Sequence, residues 1–426
     1  MDNPIPKKPK NTFRILHTSD WHIGKRLFSQ SRYDEFEAFL NWLFEQINLH
    51  KIDALIVAGD IFDTATPSNK AQELYYEFLG NIAKSPCQHV IIIAGNHDSP
   101  TFLDAPKAIL KSLNVQVIGQ ITDNLTDEML VLCDHNQNPQ AIILAIPYLR
   151  DKDVRSGGSF EAVGQREQET AQGIATHYQT LAHHAQIKRT QLAKNIPIIA
   201  TGHLFVAGSS VSSSDDGMRQ EIFVGTLGQI SADIFDQCLD YVALGHIHAP
   251  QKVAGQDHVR YCGSPIAMGF GEAGKTKQVL VVDFECQMPA IYSLSVPTFV
   301  ELVRLEGDMD AITSALSPLI AQDKTIYAEI IYTGTTLAPN FAQDIKGLLT
   351  DTKVVALNIQ NTTQRRHILQ SHQGNRHPKN LKNLSQIDVF EYLLDKRKIC
   401  DDEKPILKNA YLDIIKSIHE QDDMAN

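Results

Sequence analysis

The chain has no apolar run approaching the ~20 residues that span a bilayer. Its longest runs, Val90–Ala94 and Ala141–Ile146, have the length of buried strands, so no membrane association is expected. The opening residues, M-D-N-P-I-P-K-K-P-K-N, contain lysines and prolines but no apolar segment. That excludes a secretory signal of ordinary form and reads as a disordered arm. Six cysteines occur, at 87, 133, 238, 262, 286 and 400, and none forms a Cys-x-x-Cys pair. A thiolate metal site and a disulfide framework are thereby disfavoured, and a reducing cytoplasm is the expected setting. Basic excess is also missing: 39 Lys and Arg stand against 50 Asp and Glu, for a net charge of −11. A protein that coats nucleic acid by its own field is ordinarily basic. The balance still permits an enzyme whose bound cations draw in an anionic substrate. Internal repeats are absent.

What is present is an ordinary globular composition, 43% hydrophobic and 21% charged over 426 residues, long enough for two or three domains. Phe13–Ser19, Ala54–Ala58 and His89–Ala94 read as strands. Between them, Arg32–Leu49 and the segment opened by Pro67 carry apolar residues at helical spacing, the second with the stripe Ala71, Leu74, Tyr75, Phe78, Leu79 and Ile82. This strand–helix alternation predicts an α/β layered fold. Ala141–Ile146, Ile196–Thr201 and Tyr241–Leu244 are further strands, and Glu167–Lys194 is a long helix. Val259–Cys262 and Gln278–Phe284 are expected in a second sheet, and Gly208–Gly217 as a loop. After residue 297 the pattern restarts as a small α+β unit: strand Phe299–Leu305, helix Asp310–Ala321, strand Ile326–Thr333, helix Pro339–Leu349 and strand Lys353–Ile359.

Five short signals occur in order, most of them just after a predicted strand: Asp20-Trp21-His22, Gly59-Asp60, Gly95-Asn96-His97-Asp98, Gly202-His203 and Gly245-His246-Ile247-His248. Loops at the carboxyl ends of parallel strands converge on one crevice. Glycine lets such loops turn sharply and approach a ligand. Carboxylate, amide and imidazole without thiolate suit manganese, iron or zinc. Seven such ligands are too many for one ion and fit two, and two ions ~3.5–4 Å apart clamp the attacking and leaving oxygens of a phosphoryl displacement. Gly269–Thr276 also matches the phosphate-loop string G-x-x-x-x-G-K-T. It is followed by β-prone residues instead of the helix whose N-terminus would hold a phosphate, so it reads as a glycine-rich hairpin loop.

The ordered motifs resemble the calcineurin-like binuclear metallophosphoesterases. The segments R-I-L-H-T-S-D-W-H-I-G-K, V-A-G-D-I-F-D, A-G-N-H-D-S-P, I-P-Y-L-R, D-Y-V-A-L-G-H-I-H-A-P-Q and Y-C-G-S-P resemble more closely the nuclease subunits of bacterial SbcCD-type complexes, over roughly residues 13–285. The resemblance implies a four-layer αββα sandwich over 12–297, an α+β capping domain over 298–362 that selects which DNA forms reach the metals, a linker over 363–384 and C-terminal helices over 385–426. It assigns one ion to Asp20, His22, Asp60 and His248, and the other to Asp60, Asn96, His203 and His246, with Asp60 bridging. The ions would be divalent, Mn2+ first, with Mg2+, Fe2+ or Zn2+ as alternatives. His97 is implied as the acid for the leaving oxygen or as the group that stabilises phosphorane charge, and Asp63 as the residue orienting it; a solvated or helix-capping Asp63 is the other reading. The implied activity is exonuclease action on duplex DNA ends and endonuclease action on single strands and hairpins, in repair, recombination and replication. The implied partner is an SbcC-type coiled-coil ATPase, held by the terminal helices, with a homodimer inside a heterotetramer. A metallophosphoesterase for small phosphodiesters or phosphoproteins is the alternative, which the extra domain and tail disfavour.

Overall fold

A computed structural model of the chain describes residues 5–155, 163–209, 230–336 and 338–363, with short groups of residues between 390 and 412. The loop expected over 208–217 falls outside these from residue 210, as do residues 364–389 of the linker and the first terminal helix. The chain divides into two compact units, the first ending at Glu301 and the second beginning at Leu302.

The strands of the first unit are, in chain order, β1 (Phe13–Thr18), β2 (Ala54–Ala58), β3 (His89–Ile93), β4 (Val115–Ile118), β5 (Met129–Cys133) and β6 (Pro139–Leu144). They continue with β7 (Ile198–His203), β8 (Tyr241–Gly245), β9 (Gln251–Val253), β10 (Gln256–Tyr261), β11 (Lys277–Glu285) and β12 (Met288–Val296). One sheet has the order β12-β11-β1-β2-β3-β4, the other β5-β6-β7-β8-β10-β9. β1 to β4 are mutually parallel, as are β6, β7, β8 and β10. Gln278–Phe284 therefore does not join the second sheet, as its sequence suggested. It pairs antiparallel with β1, and the buried Arg14 guanidinium meets the Asp283 carboxylate across that pair.

Period-2 alternation explains why these strands are apolar throughout. In β2, Ala54, Ile56 and Ala58 point to the core between the sheets, where they meet Ile143, Ile199 and Ala243 of the second sheet. Leu55 and Val57 point the other way, into the layer formed by helices Tyr33–His50 and Asn69–Ile82. Helix Val163–Leu192 covers the far face of the second sheet through Ile174, Tyr178, Leu181 and Ala185. The layers are thus helix, sheet, sheet, helix, as expected. Pro67 sits two residues before its helix, next to the N-cap Ser68, which accepts from the Ala71 N–H.

In the second unit β13 (Glu301–Gly307), β14 (Ile326–Tyr332) and β15 (Val354–Asn361) form a three-stranded sheet in that order, with helices Met309–Ile320 and Phe341–Leu348 between them in sequence. Ile312, Leu316, Phe341 and Ile345 from the helices bury against Ile326, Ala328 and Ile330. The described terminal residues include Phe390 and Tyr411, whose rings stack 4.0 Å apart.

Candidate metal centre

The parallel strands β1, β2, β3, β7 and β8 deliver the sequence motifs to one edge of the first unit, because parallel strands end together. Asp20 follows β1, Asp60 follows β2, Asn96 follows β3, His203 closes β7 and His246 follows β8. Four of these loop residues hold left-handed backbone: Asp20 (φ 53°), His22 (φ 47°), Asp60 (φ 51°) and His246 (φ 96°). Non-glycine residues rarely adopt that conformation, and where they do the surroundings impose it. Here the imposition is visible. Asp20 and His22 donate their N–H groups to the carbonyls of Gly59 (3.0 Å) and Asp60 (2.9 Å), zipping two ligand loops together. Between them Trp21 points into the helical layer, fully buried against Phe39 and Phe78 with its indole N–H on Thr18. At Gly95 a Cβ would lie 2.1 Å from the Asp60 carboxylate, so only glycine lets the third loop come so near.

The candidate ligand atoms converge. His22 Nε2 and His248 Nε2 face each other at 3.1 Å. Asp60 Oδ2 lies 3.1 Å from His203 Nε2 and 3.5 Å from His22 Nε2, between the two clusters. Asn96 Oδ1 is 3.1 Å from His203 Nε2 and 3.0 Å from His246 Nδ1. Asp20, His22 and His248 form one group able to hold an ion, and Asp20, Asp60 and His203 another. All seven residues singled out as ligands are therefore together. The donor set fits divalent ions: imidazole, carboxylate and amide oxygen converge, and facing ring nitrogens such as those of His22 and His248 share one point without a proton for each.

Electrostatics agree with that use. Burial alone would raise the Asp60 carboxyl, but the imidazoles of His203, His97 and His22 hold it well below the usual carboxylate range. His203 resists burial through the neighbouring Asp60 charge and is pushed up to about 9. Burial, then the proximity of His203, lowers His246 to about 3, and burial lowers His22 despite two carboxylates beside it.

His97 is half-buried, donates its main-chain N–H to Asp60 Oδ1 (2.9 Å) and stands edge-on to His22. Its Nδ1 lies 3.0 Å from the Asp63 main-chain carbonyl, and so donates to it. The Asp63 carboxylate goes elsewhere, to Lys25 Nζ (2.9 Å) and toward His22 Nδ1 (3.5 Å). The contact expected between these residues is made by a different atom of Asp63, and its side chain is directed to a ligand.

Sequence reasoning left two groups without a role. Asp98 accepts from the N–H groups of Ile61, Phe62 and Gly95 (3.1, 3.0 and 2.9 Å), pinning the third ligand loop to the second. Its place in the Gly-Asn-His-Asp tetrad was the available signal. Glu272 lies in the glycine-rich string, which folds as a 3-10 turn, Phe270–Glu272, followed by β11 rather than by a phosphate-binding helix. No pattern in the sequence points from Glu272 to His248.

Comparison with known proteins identifies relatives of this chain. The family model described as calcineurin-like phosphoesterase matches residues 13–250, and that described as type 5 capsule protein repressor C-terminal domain matches residues 298–398. SbcD of the Escherichia coli K12 SbcCD nuclease is 34% identical over 402 residues, covering 93% of this chain and 96% of that protein. The SbcD proteins of Rhodobacter capsulatus and Bacillus subtilis are 35% and 34% identical, each covering 63% of this chain and 66% of the relative.

Proposed function

The chain belongs to the calcineurin-like phosphoesterases and, within them, to the SbcD nucleases, and from that premise we propose a specific reading of its centre. It is a metal-dependent nuclease. In our reading Asp20, His22, Asp60 and His248 hold one ion and Asp60, Asn96, His203 and His246 the other, with manganese as the working metal. The observation that carries this is Asp60 Oδ2 lying within 3.5 Å of ligand nitrogens from both sets. The ions, when bound, supply a nucleophile from water and positive charge at the phosphate.

The protein residues do the positioning. Asp60 keeps its charge under burial because imidazoles surround it, so it can serve both ions. Asp98 and the Asp20 and His22 main-chain bonds hold the loops before substrate arrives. His97 donates from Nδ1 to the Asp63 carbonyl, which leaves Nε2 as the atom to deliver a proton to the leaving oxygen.

The substrate we assign is DNA, cut as an exonuclease on duplex ends and as an endonuclease on single strands and hairpins. The partner is an SbcC-type coiled-coil ATPase, held by residues 385–426, with a homodimer at the heart of the assembly. All six cysteines are free, which suits a cytoplasmic setting. Among the described residues no helix is long and apolar enough to cross a membrane. Turnover of linear duplex DNA and of a cyclic nucleotide, both with manganese, tests the substrate. Preference for the DNA supports the reading, and preference for the nucleotide contradicts it.

A further inference from the structure

Glu272 in the string Gly269–Thr276 and Lys277 just after it bring a buried charge pair to the edge of the metal centre. Glu272 and Lys277 are 4% and 8% exposed and form an ion pair. Lys277 Nζ also donates to Ser264 Oγ (2.8 Å) and to the main-chain carbonyl of His248 (3.2 Å). Glu272 Oε2 is committed to Lys277 and to the Met268 N–H (3.0 Å). Among the described residues its other oxygen, Oε1, is buried with no hydrogen-bond partner, and so is His248 Nδ1. These two atoms face each other at 3.5 Å, just past hydrogen-bond length. On the far side of the same ring, His248 Nε2 points at His22 Nε2.

A metal-binding imidazole ordinarily donates its other N–H to a carboxylate or carbonyl, which fixes the tautomer and makes the ligating nitrogen a better donor. His203 has such a partner in the Ala58 carbonyl (2.9 Å), and His22 Nδ1 faces the Asp63 carboxylate at 3.5 Å, the same separation as His248 and Glu272. Building on the proposed metal centre, we propose that Glu272, held in place by Lys277, is the positioning residue for His248: it accepts from Nδ1–H and presents Nε2 to the ion. A buried ion pair is by itself a weak source of stability. The charge has its use toward the imidazole, and Lys277 Nζ holds the carboxylate in place through Oε2.

The test is manganese titration by calorimetry of the full chain, comparing wild type with Glu272→Gln. The charge-neutral double variant Glu272→Gln/Lys277→Gln guards against misfolding, with thermal melts in chelator to verify the fold. One of two sites should weaken about ten- to a hundred-fold, the other should keep its affinity, and the same substitution in a His248→Asn background should change neither. Unchanged affinity in a folded variant overturns the assignment, and so does an equal loss in the His248→Asn background. A wild-type chain that takes up no manganese overturns the metal centre as well.

Discussion

At the scale of single residues, the centre rests on side chains that burial and neighbours hold in one protonation state. His17 shows the cost of such placement away from the ligands. It is fully buried between the sheets, bonded through Nδ1 to the Tyr241 hydroxyl (3.0 Å), and burial lowers its pKa from 6.5 to about 3. Above pH 6.5 the ring is neutral whether the chain is folded or not. Below it the unfolded ring takes up a proton that the folded ring refuses until about pH 3. Stability should therefore fall as pH drops through that window, by about 1.4 kcal/mol per pH unit for this group. Thermal melts of metal-free protein between pH 7.5 and 5 should show the loss, with a shallower slope for His17→Gln; an identical slope would remove His17 from the account. At this scale the sequence was informative where glycine and a strand end flanked the residue, as with Asp60 and Asn96. It was silent where a role depends on which atom faces which neighbour. Asp63 offers its carbonyl to His97 and its carboxylate to His22, and residue spacing carries no information about that division.

At the scale of elements, the ligand loops are held by the layers behind them. Trp21 is the clearest anchor, since it separates two ligands and sits wholly within the helical layer. Trp21→Ala should cost about 3–5 kcal/mol in denaturant unfolding of metal-free protein, and should weaken manganese binding although the indole packs against Phe39 and Phe78. Retained stability would mean that the loop is held by its main-chain bonds alone. Elements with strong patterns were legible: helix Asn69–Ile82 buries the full stripe read from its spacing. Strands β4, β5, β9 and β12 carry no pattern that reads as a strand. β4 has only four residues, and β12 is half-exposed along most of its length, so neither has the apolar run that marks β2 or β3. Gln278–Phe284 reads as a strand but not as a neighbour of β1, because apolar alternation shows that a strand is buried and not which neighbour it pairs with.

At the scale of the whole molecule, the acidic balance bears on how substrate is held. Residues 383–426 contain ten Asp and Glu against six Lys and Arg, in the tail we assign to a protein partner. A chain of net charge −11 should grip duplex DNA weakly by itself. Truncation before residue 385 should abolish association with the coiled-coil ATPase on size exclusion while sparing manganese-dependent cleavage of single-stranded DNA. A complex that survives the truncation would show that the tail is not the dock. The central claim is that seven residues from five strand ends form one manganese centre that cuts DNA. Its most direct measurement is degradation of linear duplex DNA, with manganese and the coiled-coil ATPase, by wild type and by Asp60→Asn. The account predicts that the wild type degrades the duplex and that the variant, still folded and still bound to its partner, does not. Cleavage by Asp60→Asn at the wild-type rate would contradict it.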